Sequence, residues 1–564
     1  MRYNELEKED TKATVLGDVT GLRKTDFNLL ERLYRRRIPP DKVVSPEAAR
    51  FLAELSSAIQ RQIAILVHRS GAITHVIVGD ASGIFIPDLA GFPLGKKALR
   101  GLRLIHTHLK NEPLNQDDLT DLLLLRFDVV AAIGIRDGLP ANIYVAGIMP
   151  EGSHEVMYEG DFYGFNLNFD SFVSAREEEM DRRRLFSPDD ERERAILVSV
   201  SQKPKYIQED SLDELEELAL SSNVVVLGRV IQRPKEIHPK YLIGSGKIKD
   251  AVIGALAKGS TMLIFDQDLL PAQSRAIADI TELKVIDRSQ LILDIFARRA
   301  HSSDGKVQVE LAQLKYRLPR LTGKGTDMSR LMGGIGGRGP GEMKLEIDRR
   351  RVRERIGLLE KQLRRLSKAR NERKRLREDR AIPIVSIVGY TNAGKSTLLN
   401  KLTKSETFVE DKLFATLDTA SRRLRFPRER EIIITDTVGF IRDLPRDLMT
   451  AFKATLEELE DADMLLHLVD ISNPRFEQQI DSVEKILNDL HLGDKSTLLV
   501  FNKIDKTPPE EAESLVLRFN AIPISAKDPA TFSPLLSAIE RTIFGPDNGH
   551  SLSEKPEEEQ IALH

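Results

Sequence analysis

The run Ile384–Val388, then Gly389-Tyr390-Thr391-Asn392-Ala393-Gly394-Lys395-Ser396, then Thr397-Leu-Leu-Asn-Lys-Leu leaves the chain little freedom of fold. A short β-branched strand delivers the chain into a tight loop, and the loop opens a helix. This is the spacing G-x-x-x-x-G-K-[ST] in the strand–loop–helix context that gives it meaning, and it requires an α/β domain. Gly389 and Gly394 let the backbone turn tightly and aim its N–H groups at phosphate oxygens, so residues 389–396 form a phosphate cradle. Lys395 neutralises the β and γ phosphates, Ser396 offers a hydroxyl to Mg²⁺, and the helix N-terminus adds its positive end.

The companions of such a loop follow in order. Phe414-Ala415-Thr416-Leu417-Asp418 lies in a segment that reads as a mobile loop, with Thr416 placed to reach Mg²⁺ while a γ-phosphate is present. Glu431–Thr435 reads as a strand ending in Asp436-Thr437-Val438-Gly439; Asp436 is expected to hold the metal's water shell, and the Gly439 N–H to sense the γ-phosphate. Lys395, Thr416 and Gly439 are the expected catalytic set. Leu498–Phe501 leads into Asn502-Lys503-Ile504-Asp505, and Ile522–Ile524 into Ser525-Ala526-Lys527. The Asp505 carboxylate can accept the guanine N1–H and exocyclic amine, a pair adenine does not offer. Asn502 and Lys503 support and cover the base, and the Ser525–Lys527 backbone can read guanine O6. Each short motif is weak alone; five in order predict a GTP/GDP site.

Two residues qualify this expectation. Phe440 stands where a water-orienting glutamine often follows D-x-x-G, and an apolar ring cannot hold that water, so unassisted turnover is expected to be slow. Asn392 has two readings. It braces the loop, which is the plainer one, or it helps to hold K⁺, as an asparagine does in some GTPases with a similar loop.

The 564 residues divide by pattern into several blocks. Residues 1–175 mix helical (Pro46–Gln62) and strand (Ile63–Val67, His75–Val78, Val129–Ile135) patterns in an additional α/β domain. Residues 176–194 are dense in charge and read as a linker. Residues 195–300 alternate short apolar strands with helices and predict a small parallel sheet. Residues 301–380 predict two antiparallel helices joined by a glycine-rich tip, with Ile356, Leu359, Leu363 and Leu366 as the packing seam. Residues 381–545 form the nucleotide domain, and 546–564 a polar tail read as disordered. The chain has no cysteine, which excludes disulfides and thiolate metal sites. No apolar run reaches membrane-helix length, and no secretory signal is evident. A cytoplasmic monomer is the expectation.

Charge is concentrated rather than abundant. The whole chain carries −3, but Lys344–Arg380 holds sixteen Lys or Arg against seven Asp or Glu. Such a helix is either a solvated coiled-coil face or an arm facing a polyanion, where counterion release would supply affinity.

With these residues placed, the chain resembles the HflX family of ribosome-associated GTPases over about Ala195–Phe544. Its most specific stretches lie outside the general GTPase motifs: Asp287–Ala300, Gln308–Leu321, Gly333-Gly-Ile-Gly-Gly-Arg338-Gly-Pro340-Gly341-Glu342, and Gly439-Phe440 through Glu458. Phe440 fits that family. The resemblance implies a small α/β subdomain and helical arm before the GTPase domain, binding to the large ribosomal subunit and its rRNA, and GTP-dependent separation of stalled or idle ribosomes. Arg338 in the tip is the expected RNA contact. A checkpoint in large-subunit assembly is the competing role, and an RNA-remodelling or metal-dependent enzyme regulated by the GTPase a third.

Three further patterns occur in the sequence. Gly334-x-Gly336-x-x-Gly339 has the dinucleotide-binding spacing but no preceding strand, and that reading is rejected. Gly244-Ser-Gly246-Lys247 lacks the first glycine and final hydroxyl of a phosphate loop and reads as a tight strand-to-helix turn. Leu104-Ile-His106-Thr-His108, then Asn115-Gln-Asp-Asp118, faintly resembles the zinc motif of JAMM/MPN metalloproteases, with Asn115 in place of serine and no clear catalytic glutamate. Two histidines and an aspartate can ligate zinc, but a metal-free relic or partner-binding fold is the expectation.

Overall fold

In the N-terminal region the β-branched runs collect in one seven-stranded sheet. Its strands are β1 (Leu16–Gly17), β2 (Ile63–His68), β3 (Ile73–Val78), β4 (Leu102–His108), β5 (Val129–Arg136), β6 (Leu139–Ile148) and β7 (His154–Asp161), in the order β1-β3-β2-β4-β5-β6-β7. The structure is a computed structural model and describes residues 14–87, 89, 91–94, 98–182, 192–300, 302–321, 340–378, 382–403, 420–426, 430–437, 439–442 and 459–545. Arg338, Phe414–Asp418, Val438 and the tail lie outside the described residues. Two units emerge, Met1–Arg288 and Ser289–His564. Among the described residues no helix is long and apolar enough to cross a membrane.

Strands β2, β4 and β5 are buried almost throughout, as the near-continuous apolar sequences of β2 and β5 require; β4 is buried although it carries Arg103, His106, Thr107 and His108. Around them pack α1 (Lys24–Leu33), α2 (Pro46–Ile59), α3 (Gln116–Leu125) and α4 (Phe169–Arg182). Helix α2 starts at Pro46 behind Ser45, whose hydroxyl accepts the Ala48 N–H. Helix α3 provides the crossover between the parallel strands β4 and β5.

The charged stretch read as linker from residue 176 is helical as far as Arg182. Its first residues thus belong to α4, which is seated by the buried Val173 and Met180. Glu177 is used too. The Arg69 guanidinium donates to Asp128 at 2.6 and 2.9 Å and to Glu177 at 2.8 and 2.9 Å, tying α4 to the sheet.

A second sheet follows, parallel throughout as expected: β8 (Arg194–Val200), β9 (Val225–Gln232), β10 (Met262–Phe265) and β11 (Lys284–Asp287), in the order β11-β10-β8-β9. Strand β9 runs further than its apolar signal, which ended at Leu227. Helices α5 (Lys205–Ser221), α6 (Ser245–Ala257) and α7 (Pro271–Ala278) connect the strands. The two sheet domains of this unit touch: α3 packs on α6, and Arg100 Nη1 donates to Glu282 Oε1 at 2.7 Å.

The second unit begins with α8 (Arg288–Arg299), α9 (Ser303–Arg317) and α10 (Pro340–Glu378). The sequence reading divided the chain near 300, where composition changes. The two compact units part between Arg288 and Ser289. Helices α9 and α10 are antiparallel: Arg349 donates to the Leu321 carbonyl, while Arg355 pairs with Glu310 further back along α9. Their seam joins Val307, Leu311 and Leu314 to Ile356, Leu359 and Leu363.

The nucleotide domain has strands β12 (Ile384–Gly389), β13 (Ala420–Arg425), β14 (Glu431–Asp436), β15 (Met464–Asp470), β16 (Thr497–Asn502) and β17 (Ile522–Pro523). Their order is β13-β14-β12-β15-β16-β17, with only β13 antiparallel to its neighbour. Helices α11 (Lys395–Thr403), α12 (Phe476–Asp489), α13 (Pro509–Phe519) and α14 (Ser533–Phe544) complete it. The order reverses beside β12, and a crevice at the carboxyl ends of the strands is where such sheets bind ligands.

Removing the Arg69 guanidinium would strand the fully buried Asp128 carboxylate. Arg69→Ala is expected to destabilise the N-terminal sheet domain by about 3 kcal/mol, measured as faster hydrogen exchange in β4, β5 and α4.

Candidate nucleotide site

The cradle is built where β12 ends. Gly389 has φ +151°, and a Cβ there would stand 2.2 Å from the Leu468 carbonyl oxygen on β15. Gly394 has φ +97°, and a Cβ would meet the Asn502 amide nitrogen at 2.4 Å. Both glycines are therefore demanded by geometry as well as by phosphate access. Asn392 is exposed with φ 62°, a left-handed conformation that asparagine tolerates better than most residues, which accords with a bracing role.

Lys395 is buried, and its ammonium donates to the Gly389 carbonyl at 3.1 Å and the Tyr390 carbonyl at 2.8 Å. Burial pushes this ammonium down to about 8, against the opposing pull of Asp436. The Ser396 hydroxyl donates to Asp436 Oδ2 at 2.6 Å. Two hard oxygens from the start of α11 and the end of β14 thus converge at one point, a donor set suited to Mg²⁺. Thr437 donates to the Ile387 carbonyl at 2.7 Å, fixing the turn after β14.

The start of the next segment is bound to the cradle by its backbone. Thr391 N–H donates to the Phe440 carbonyl at 2.8 Å, Phe440 N–H to the Gly389 carbonyl at 3.1 Å, and Arg442 N–H to the Tyr390 hydroxyl at 2.7 Å. Gly439 lies so close that a Cβ would stand 2.8 Å from Thr391 Cγ2 and 3.0 Å from Lys395 Nζ. The Phe440 ring is buried, so this residue packs where a glutamine would face solvent.

At the base end, Asn502 spans two loops. Its Nδ2 donates to the Ala393 carbonyl at 2.7 Å, and its Oδ1 accepts the Ala526 N–H at 2.8 Å. Ser525 Oγ donates to Asp505 Oδ1 at 2.6 Å. Lys503, at φ 62°, pairs with Asp470 at 2.7 Å. Ile504 follows in the same short turn, and Lys527 is exposed beside it in sequence. The fold thus assembles the 389–396 and 502–505 segments, Asp436, Thr437 and Gly439, with 525–527 at one sheet end.

Sequence reasoning missed Asp470 and His467. Asp470 had a signal, a carboxylate closing an apolar strand. His467 interrupts that same strand, in register with Val388. Burial, reinforced by the Lys395 charge, pushes its imidazole down to about 4.

Two outcomes are expected. Gly394→Ala strains a positive φ at a cost of about 1–3 kcal/mol, which should weaken guanine-nucleotide affinity roughly 5- to 150-fold by calorimetry. For His467, both folded and unfolded chains are neutral above its ordinary value of 6.5, so nothing is lost there. As pH falls the unfolded chain takes the proton first, and stability drops between 6.5 and about 4. At roughly pH 5 the loss is about 2 kcal/mol, and it should vanish in His467→Leu. The readout is β12 and β15 hydrogen exchange in the intact chain, corrected for intrinsic rates.

The chain is similar to known proteins over its second sheet domain, helical arm and nucleotide domain. Three family models match: GTP-binding GTPase N-terminal at 209–297, GTP-binding GTPase Middle Region at 299–377, and 50S ribosome-binding GTPase at 384–503. The GTPase HflX of Caldanaerobacter subterraneus subsp. tengcongensis is 48% identical over 63% of this chain and 81% of its own length. That of Escherichia coli is 41% identical over 67% of this chain and 89% of its own. A solved GTP-binding protein of the archaeon Sulfolobus solfataricus, in complex with GDP, is 26% identical over 62% of this chain and 99% of that one, with a TM-score of 0.35. Identity of this order across more than four fifths of its relatives means that the chain belongs to the HflX family of GTPases, and that it hydrolyses GTP.

Proposed function

We propose that this GTPase engages the large ribosomal subunit in its GTP form and uses the nucleotide cycle to separate joined, stalled or idle ribosomes. The observation that carries the reading is a basic hairpin in the same compact unit as the nucleotide site. Helix α10 has 39 residues, a reach of about 58 Å at 1.5 Å per residue. Its density of Lys and Arg suits a phosphate-rich surface. The glycine-rich tip with Arg338, outside the described residues, would enter rRNA.

Within the site, Lys395 and the 389–396 backbone would hold the β and γ phosphates. Ser396 would ligate Mg²⁺ directly, Asp436 would hold its water shell, and Thr416 would complete it from its loop. Bound Mg²⁺ would neutralise charge on the bridging phosphates. Gly439 N–H would face the γ-phosphate. The close approach of Gly439 to Lys395 supports that, and the backbone bonds of Phe440 to the cradle would carry γ-phosphate loss into the following segment. Asp505 would accept the guanine edge, held in place by Ser525, with Lys503 and Ala526–Lys527 around the base. The buried Phe440 orients no water, so slow intrinsic turnover and stimulation by the ribosome follow. K⁺ at Asn392 would be an additional source of stimulation, visible as a difference between K⁺ and Na⁺ buffers.

The test is sedimentation of joined ribosomes with the full chain. GTP should convert them to subunits, with the protein on the large one. Asp505→Asn should transfer the requirement from GTP to xanthosine triphosphate. Large-subunit binding that leaves joined ribosomes intact would favour an assembly role and overturn ribosome separation.

A further inference from the structure

The N-terminal sheet domain holds a side-chain cluster that the nucleotide chemistry does not use. His106 and His108 alternate on β4 and so face the same side of the sheet. Asp118 reaches them from the first turn of α3. The two Nε2 atoms are 3.0 Å apart, and they lie 3.3 and 3.4 Å from the two Asp118 oxygens. All three residues are buried, and among the described residues they are the one group of ligand-type side chains that converges in this way. Four ligands at about 2.0–2.1 Å from zinc sit roughly 3.3 Å from each other. The His–His separation, and the approach of each imidazole to one carboxylate oxygen, are close to that spacing, and one ligand atom from each residue can be chosen with all three within 4.8 Å of one another.

Two independent features pre-set the ligands. His108 Nδ1 lies 2.9 Å from the Glu112 carbonyl. A carbonyl only accepts, so Nδ1 carries the proton and Nε2 presents its lone pair to the cluster, the arrangement common in metal-bound histidine. Asp118 is fixed by a capping box. Asn115 Oδ1 accepts the Asp117 and Asp118 N–H groups at 2.8 and 2.9 Å, and Asp118 Oδ2 accepts the Asn115 N–H at 2.8 Å. Asn115 is thereby explained as the residue that aims Asp118. His106 Nδ1 has no hydrogen-bond partner, so the polar contacts of this ring are those of its Nε2 within the cluster.

The helix that carries Asp118 is also the junction helix. Leu124 of α3 packs into the core of the 194–288 sheet domain, and Ile253 of α6 packs into the core of the N-terminal domain.

We propose that His106, His108 and Asp118 bind one divalent transition metal of the zinc class, and that the ion pins α3 and thereby stiffens its junction with α6. This departs from the metal-free expectation. Two neutral imidazoles and a carboxylate suit Zn²⁺ or Co²⁺ better than Mg²⁺ or Ca²⁺. The fourth position is left for solvent. The burial of all three ligands makes the ion a structural brace rather than a centre open to a polymeric substrate.

The full chain, stripped with chelator and titrated with Zn²⁺ or Co²⁺, should take up one equivalent, and Co²⁺ should show tetrahedral absorption. His106→Ala and Asp118→Asn should lose stoichiometric uptake while β5 and β6 of the same domain stay as protected from hydrogen exchange as in the metal-free wild-type chain, which shows that the variants fold. Metal should slow hydrogen exchange in both α3 and α6. Failure of the folded wild-type chain to take up either ion, or equal uptake by both variants, would overturn the site. Uptake that leaves α6 exchange unchanged would overturn the junction role.

Discussion

The side-chain amide of Asn502 is the joint on which the nucleotide site depends. One end holds the Ala393 carbonyl of the phosphate cradle and the other the Ala526 N–H of the loop beside the base. Neither loop has a regular-structure partner for that group, and a buried polar group left unpaired is costly. The amide therefore fixes the distance between the phosphate and base ends of the site. Gly394 follows from this: the amide sits so near that no side chain is admitted there. An Asn at the end of a central strand is thus a positioning residue, its side chain buried between the two loops it joins.

Phosphate sensing rests on a similar economy of contacts. The backbone of Phe440 is paired directly to Gly389 and Thr391, and Arg442 to the Tyr390 hydroxyl. In the proposed reading, the segment that would respond to the γ-phosphate is therefore attached to the loop that would hold it. A change at Gly439 need travel only one residue to reach these bonds. The apolar Phe440 ring strengthens the packing at the cost of a water-binding group, which is consistent with a switch whose timing is set by a partner.

The N-terminal domain is joined to the family's subdomain by side chains that seat in each other's cores, Leu124 and Ile253, and by the Arg100–Glu282 pair. It is built into the first unit rather than tethered by a flexible string. The charged stretch after residue 175 is part of that construction, since Glu177 completes the Arg69 network on Asp128.

Much of this was legible in sequence because local chemistry dictates it. A glycine-bounded loop between an apolar strand and a helix can do little else, so the strand–loop–helix order of β12, the 389–396 loop and α11 was readable from the sequence. The antiparallel seam of Ile356, Leu359 and Leu363 followed from spacing alone. What sequence could not supply were distances between segments far apart in the chain. That Asn502 bridges two loops, that Asp470 meets Lys503, that His467 lies behind Lys395, and that Asp118 closes on two histidines depend on which strands become neighbours. Sheet order decides that, and it is set by burial of whole faces rather than by any short motif.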